Sequence, residues 1–428
     1  MPVVTEFGAR GDGRTDDTQA IQRAVNEGGG HVLFPKGTYL ISRPIEIDLA
    51  RSGRAGIAGA DGCATLVMAG PGPALCLVGS HEGTASPESF TEQVRENERL
   101  PTVSGIEIAG AHPEAIGIRL EALWQPILTG VFVRDCLHGI HVVRRNRNLI
   151  ISACHIHNNR GVGVFYDHVN LHQSNILGCH ISYNKGGGIK VLESEIRNLQ
   201  ITGNDIEYNV DQAAPESADV WIETRESSVR EGTIASNTIQ AVPSPGGANV
   251  RIRGRDDAAR HKAGHWTLCG NLISSQRVNV HLQYARGVVI TGNSFFAGHE
   301  RTLLAQQSDS IVVGANVIDR NPDYRVETGD GVVFDRCDGC LMTGVLLVGT
   351  RAPAAPAGAA VEVRQCTAVR LAECQILDPE PCGVLLHESA DCSVSGCTIL
   401  DRRSPRRLLE AISVVGGVDN VVERNLTR

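Results

Sequence analysis

Two groups of residues in this chain have types and spacings suited to chemistry. The first lies on short, strictly alternating segments: Gly-Ile-Arg119-Leu-Glu121, Gly-Ile-His141-Val-Val143, Gly163-Val-Phe165-Tyr-Asp167, Gly188-Ile-Lys190-Val-Leu192, Asp219-Val-Trp221-Ile-Glu223, Asn249-Val-Arg251-Ile-Arg253 and Asn279-Val-His281-Leu-Gln283. Alternation sends the aliphatic residues to one face and the numbered ones to the other. With the segments side by side, one outward column reads Arg119, His141, Phe165, Lys190, Trp221, Arg251, His281, and its neighbour reads Glu121, Val143, Asp167, Leu192, Glu223, Arg253, Gln283. An outward indole at Trp221 would offer a flat apolar surface to a sugar ring, and the cations beside it would bind carboxylates or hydroxyls. The second group is Asp167, His168, Asn170, His172 and Gln173, packed within seven residues after a strand. A histidine in such a turn serves as a general base near neutral pH, and a neighbouring carboxylate tunes it.

A third column, His155, His180 and Asp205 with His157 and Glu207 beside it, has residue types that bind metals. Polar ladders on strands have the same composition, so neither a metal nor a cofactor is assigned from the sequence.

The elements that must position these residues repeat. Ile-Ser-Ala-Cys154-His-Ile returns as Ile-Leu-Gly-Cys179-His-Ile and Ile-Thr-Gly-Asn204-Asp-Ile. The frame, apolar-x-x-(Cys/Asn)-x-apolar, has its fourth position at Cys136, Cys154, Cys179, Asn204, Asn237, Asn271, Asn293, Asn316, Cys374 and Cys397, with a weaker copy at Val345. Period-two alternation, abundant Val, Ile and Thr, and a Gly or Asn closing each run identify strands. A repeat of this size with variable loops is one coil of a parallel β-helix. Neighbouring coils lie about 4.8 Å apart, so equivalent residues stack into columns. The 13 cysteines are expected to be reduced and mostly buried: several recur at the frame, the count is odd, and Cys337 and Cys340 have no second CxxC to complete a zinc site.

The amino-terminal segment breaks the pattern. Phe7-Gly-Ala-Arg-Gly-Asp-Gly-Arg-Thr-Asp-Asp-Thr-Gln-Ala-Ile-Gln-Arg-Ala-Val25 leads through Gly28–Gly30 to His31-Val-Leu-Phe-Pro-Lys-Gly-Thr-Tyr-Leu-Ile41. Asp16 or Asp17 caps a helix over about 16–26 whose Ala20, Ile21, Ala24 and Val25 follow 3.6-residue spacing, and the glycines end it. Such a helix would cover the open end of the first coil. The segment resembles the amino-terminal motif of the pectate-lyase-like superfamily, "FGAxGDGxTDDTxAIQ". The resemblance implies a right-handed parallel β-helix, here of about ten to twelve coils with a short capping helix. It also implies that the alternating strands form the sheet that commonly carries a substrate cleft. The motif's acidic residues read as capping groups. The superfamily holds polysaccharide lyases, polygalacturonases, fructotransferases and phage tailspikes, so the fold leaves function open.

The active-site motifs of polygalacturonases and calcium-dependent pectate lyases do not occur in order; Gly188-Ile-Lys190 is only a fragment. The sequence therefore points to a carbohydrate-active enzyme that cleaves glycosidic bonds, leaning to β-elimination on an acidic sugar. Arg251 or Arg253 would neutralise the uronate carboxylate, and Lys190 or His168 would act as base. Hydrolysis or fructosyl transfer would use paired carboxylates, with Asp167 and Glu223 two coils apart by about 9 to 10 Å. A non-catalytic carbohydrate-binding solenoid is the third reading. The assigned residues are Asp167, His168, Lys190, Glu223 and Arg251 for catalysis, and Trp221, Arg253, His281, Asp219 and His172 for substrate binding. Alanine at Trp221, Arg251 or Glu223 is expected to spare the fold, as outward positions usually do.

Composition bounds the rest. Coils stacked on one another can form one domain over 1–428, with the cap and first strands in 1–45 and coils in 46–428. A net charge of -8 without a long basic run argues against nucleic acid as partner. No apolar run reaches membrane-spanning length, and the chain as it stands opens without a signal-like segment, which gives the expectation of a cytoplasmic protein without membrane association. The expected partner is a poly- or oligosaccharide. Homo-oligomerisation is compatible with the resemblance, since the inulin fructotransferases are trimeric.

Overall fold

The computed structural model describes residues 2–60, 62–255, 263–352 and 358–428. Two compact units, Met1–Val210 and Asp211–Arg428, are distinguished by their internal contacts. Each is a parallel β-solenoid, and the winding is right-handed. Among the described residues no helix is long and apolar enough to cross a membrane.

In the first unit the helix Thr18–Glu27 buries Ala20, Ile21, Ala24 and Val25, as its spacing predicts. The two aspartates divide the work at its start. Asp16 Oδ1 accepts from the Thr18 backbone N–H at 3.0 Å. Asp17 instead accepts from the N–H groups of Arg10 and Gly11 at 2.8 and 3.0 Å, bracing the preceding turn. Gly29 and Gly30, at φ +63° and +74°, turn the chain into the strand His31–Phe34.

One later coil shows the local logic. The short strand His155–His157 is followed by the long strand Val162–Leu177, which bends where His168 and Gln173 adopt φ +49° and +66°. The same bends recur at Arg144 and Asn148 one coil before and at Glu193 and Asn198 one coil after. Between bends, Ile156, Val164, Tyr166, Leu171 and Ile176 point into a core that leaves each at most 2% exposed. Two ladders of side chains close the inner turns. In one, the Cys154 N–H donates to Cys179 Sγ at 3.4 Å and the Cys179 N–H to Asn204 Oδ1 at 3.0 Å. In the other, the Cys136 N–H donates to Asn159 Oδ1 at 3.0 Å, and Asn159 and Asn184 donate in turn to Asn184 and Asn209. Cys136 is thus misplaced in the sequence frame. Val131, whose carbonyl receives the His155 N–H, holds the position equivalent to Cys154.

The second unit continues with an asparagine ladder, Asn237, Asn271, Asn293 and Asn316, each side-chain amide donating to the next at 2.9–3.0 Å. Its frame then passes through Val345, Cys374 and Cys397, so the weaker copy at Val345 is a true rung. Cys337 and Cys340 stand on different ladders. The Cys337 N–H reaches Cys366 Sγ at 3.2 Å, while Cys340 immediately precedes the strand Leu341–Thr343, which pairs with Arg370–Ala372. Among the described residues the short strands of both units number 16, more than the ten to twelve expected coils. The surplus lies at the chain's two ends, where the Cys/Asn frame is absent or falls outside the motif.

Candidate functional site

Strand pairing reproduces the outward columns within each unit. Arg119 pairs with His141, His141 with Phe165, and Phe165 with Lys190. Glu121, Val143, Asp167 and Leu192 run alongside. In the second unit Trp221, Arg251 and His281 form one column, and Glu223, Arg253 and Gln283 the other.

On the first unit, Asp167 joins two histidines. Its Oδ1 lies 2.7 Å from His168 Nδ1 and its Oδ2 lies 3.0 Å from His141 Nε2. Burial pushes the Asp167 carboxyl up, but the hydrogen bonds from His168 and His141 outweigh it and hold the group below its ordinary value. The ionised carboxylate is an acceptor only, so both ring nitrogens facing it carry protons. That fixes the His168 tautomer with Nε2 as its basic nitrogen. The His168 side chain is 68% exposed because its left-handed backbone sets it on the corner between two straight runs. His141 is packed: Phe165 stacks on it at 5.3 Å with planes 9° apart, and His138 lies 5.4 Å away. Burial keeps His141 below its ordinary pKa, against the pull of Asp167. Arg119 pairs with Glu121 at 2.9 Å, and Glu121 also holds Arg144 at 2.6 Å.

The second unit departs from the expected open groove. Trp221 is only 9% exposed and Arg251 only 2%. The Arg251 guanidinium lies over the indole and also approaches Glu216 at 3.4 Å. Arg253 grips Glu216 with both Nη groups, at 3.0 and 2.5 Å, and donates Nε–H to Gln283 at 2.9 Å. Glu223 accepts from Trp221 Nε1 at 3.0 Å and pairs with Arg225 at 3.4 Å. His281 meets Gln306 at 3.0 Å and is lowered to about 4 by burial and then by Arg251. Asp219 is fully buried and accepts from Asn249 at 3.1 Å, below which Asn279 continues the ladder, so it serves the core and not a cleft. Alternation found the correct face for Trp221, Arg251 and Glu223. It missed Glu216, on the loop ahead of the strand Ala218–Glu223, which draws the cations inward; acidic loop residues carry no periodic signal.

His172 lies apart from His168, on the run beyond the bend, where it pairs with Arg147 and lines a groove with Trp124. In the third column, ligand atoms of His180, Asp205 and Glu207 fall within 4.8 Å of one another, a set able to hold a cation. His155 packs its ring against His180 at 5.8 Å, and His157 against Phe132 at 4.7 Å.

Comparison with known proteins supports the fold. A family model described as "Rhamnogalacturonase A/epimerase, pectate lyase-like" matches residues 3–58, and one described as "Right handed beta helix region" matches 95–234. Both descriptions agree with the superfamily that the amino-terminal motif resembles and with the right-handed parallel β-helix of the fold. It is 49% identical over 55 residues to the non-secreted LysM effector LysM15 of Penicillium expansum, a stretch covering 10% of this chain and 4% of that protein. It is 54% identical over 43 residues to alginate lyase 7 of Azotobacter vinelandii, covering 9% and 5%. The chain thus spans only about a twentieth of the length of these curated relatives. Among solved structures, the tailspike gp49 of Pseudomonas phage LKA1 aligns with a TM-score of 0.54 at 13% identity, covering 100% of this chain and 81% of that one. The tailspike of E. coli bacteriophage HK620, solved with a pentasaccharide, aligns with a TM-score of 0.54 at 13% identity, covering 98% and 80%.

Proposed function

We propose that this protein is a carbohydrate-active enzyme that cleaves an acidic poly- or oligosaccharide by β-elimination, with His168 as the base. The observation that carries this reading is the contact of Asp167 with His168 Nδ1, which leaves a basic Nε2 on an exposed ring. In the proposed step His168 Nε2 removes the proton α to the uronate carboxylate. The electron pair forms a carbon–carbon double bond, and the glycosidic oxygen leaves and takes up a proton. The products are one unsaturated uronate end and one new reducing end. Arg251 and Arg253, the expected partners of the substrate carboxylate, are occupied by Glu216. On the same unit as His168, Lys190 stands in the column of His141 and takes that role here. Cationic neighbours lower the barrier by stabilising the charge that develops on the carboxylate. The pectate-lyase-like resemblance and the pentasaccharide-bound tailspike neighbour support a saccharide as partner.

The test is a panel of uronate-containing polysaccharides, followed by absorbance of the unsaturated product and by reducing ends. Elimination raises both. Reducing ends without absorbance would replace this reading with hydrolysis, and binding with neither signal would make the protein a saccharide-binding solenoid.

A further inference from the structure

A second feature of the first unit recognises ligands by different chemistry. Between the strands Gly72–Val78 and Thr102–Ser104 the chain leaves the coil and folds back through the helix Glu92–Asn97, capped by Thr91. This excursion lays Phe90 between His81, stacked at 4.4 Å, and Trp124, 4.8 Å away. The result is a groove of about 440 Å³ against the solenoid wall, within the roughly 300–1,000 Å³ of small-ligand sites.

Its floor is a column on three consecutive coils: Trp124 pairs with Arg147, and Arg147 with His172. Each is followed by an amide residue in left-handed conformation, Gln125, Asn148 and Gln173. Arg95, from the helix, lines the opposite side. The floor thus offers an indole face with polar amides one coil apart, and aromatic faces with flanking amides suit the alternating apolar and hydroxyl surfaces of pyranose rings.

Charge narrows the choice. Arg147 is 3% exposed, and all its hydrogen bonds go to neutral oxygens: the Asn146 and Asn170 carbonyls at 2.7 and 2.9 Å, Asn170 Oδ1 at 2.9 Å and the Gly83 carbonyl at 3.1 Å. Its Nε has no hydrogen-bond partner among the described residues. No carboxylate stands among the described residues lining the groove. A buried cation without a counter-charge is costly, and an anionic ligand removes that cost.

We propose that this groove binds an acidic oligosaccharide, stacking a sugar ring on Trp124 and setting an anionic substituent, a carboxylate or a sulfate ester, toward Arg147 and Arg95. The site binds irrespective of whether His168 turns substrate over.

Binding is measured by calorimetry and by quenching of tryptophan fluorescence with three probes of equal length: an oligogalacturonate, a sulfated oligosaccharide and a neutral malto-oligosaccharide. The wild type is expected to bind one or both anionic probes at least tenfold more tightly than the neutral one. Trp124→Ala and the exposed Arg95→Ala should each weaken that binding about tenfold or more at unchanged circular dichroism, whereas His168→Gln should leave it unchanged. Failure of both anionic probes to bind, equal affinity for the neutral probe, or wild-type affinity in both groove variants would overturn the proposal. Loss of binding in His168→Gln alone would move the site to the Asp167 cluster and likewise overturn it.

Discussion

The guanidinium carbon of Arg251 stands 5.1 Å from the centroid of the Trp221 ring, and the pair is almost wholly withdrawn from solvent. Trp221 also packs with Ala218 and Ala248, so its face of the strand works as a second small core beneath the loop that carries Glu216. A desolvated cation over an indole contributes more than an exposed one.

The first prediction follows from that burial and reverses what alternation alone suggests. Trp221→Ala should lower stability by about 3–5 kcal/mol, as large-to-small changes in packed sites do. In a unit of this size that lowers the melting temperature by roughly 6–20 °C. Calorimetric scans of the two proteins at one pH and salt check it. A shift of less than about 2 °C would return Trp221 to an open, ligand-facing role.

A second prediction concerns Asp167 and His168. His168 is exposed and its side chain meets only Asp167 among the described residues, so His168→Gln should leave the melting temperature nearly unchanged while reducing turnover about 10²-fold or more. Asp167→Asn should also reduce turnover, because an amide can donate to Nδ1 and hold the opposite tautomer. Steady-state rates on the substrate found in the polysaccharide panel measure both. An Asp167→Asn enzyme at full rate would remove the carboxylate from the mechanism.

The fold was legible because its determinants are local and repeated: the Cys/Asn frame, the alternation and the Asp16–Val25 helix pattern each state one rung or cap in a few residues. Both outward columns followed from the same alternation and match the observed pairing. Exposure did not follow. Trp221 is covered by Arg251, whose partner Glu216 is a loop residue with no period, and the groove at Trp124 depends on the excursion that brings in Phe90 and Arg95. Cys136 was assigned to the wrong ladder because two inner turns of each coil use the same residue types, and sequence spacing alone does not separate them.

Thiol chemistry gives a third prediction. All 13 cysteines are thiols outside any disulfide; nine are buried, three are partly covered, and Cys63 is exposed. Burial pushes Cys76 and Cys382 up to about 11 and Cys136 up to about 12, which suppresses the reactive thiolate. Titration with a thiol reagent near neutral pH should therefore find one or two fast groups in the native protein, with Cys63 modified first, and about 13 after denaturation. Several intramolecular disulfides in a peptide map would contradict it.

The last prediction is a pH dependence of stability whose sign comes from two buried histidines. His138 in the first unit and His281 in the second are both lowered to about 4, each chiefly by burial and then by a nearby group, His141 or Arg251. Unfolded histidine titrates near 6.5, so between about 6.5 and 4 the unfolded chain holds protons that the folded one refuses. Stability is then fully present above about 6.5 and falls as pH drops, until the folded histidines themselves protonate near 4. The depressed carboxyl of Asp167 acts in a separate window: its contribution is present above its unfolded value near 4 and is lost only as pH falls through the lower folded value. Replacing the histidines with neutral groups that keep their hydrogen bonds isolates the effect. Asn at 138 presents an acceptor where Nδ1 takes the Val162 N–H, and Gln at 281 presents a donor toward Gln306. His138→Asn/His281→Gln should therefore show a shallower decline in denaturant midpoint between pH 6.5 and 4 than the wild type, with the two curves parallel above pH 7. An unchanged decline in the double variant would mean that neither histidine stays neutral in the folded protein through that range.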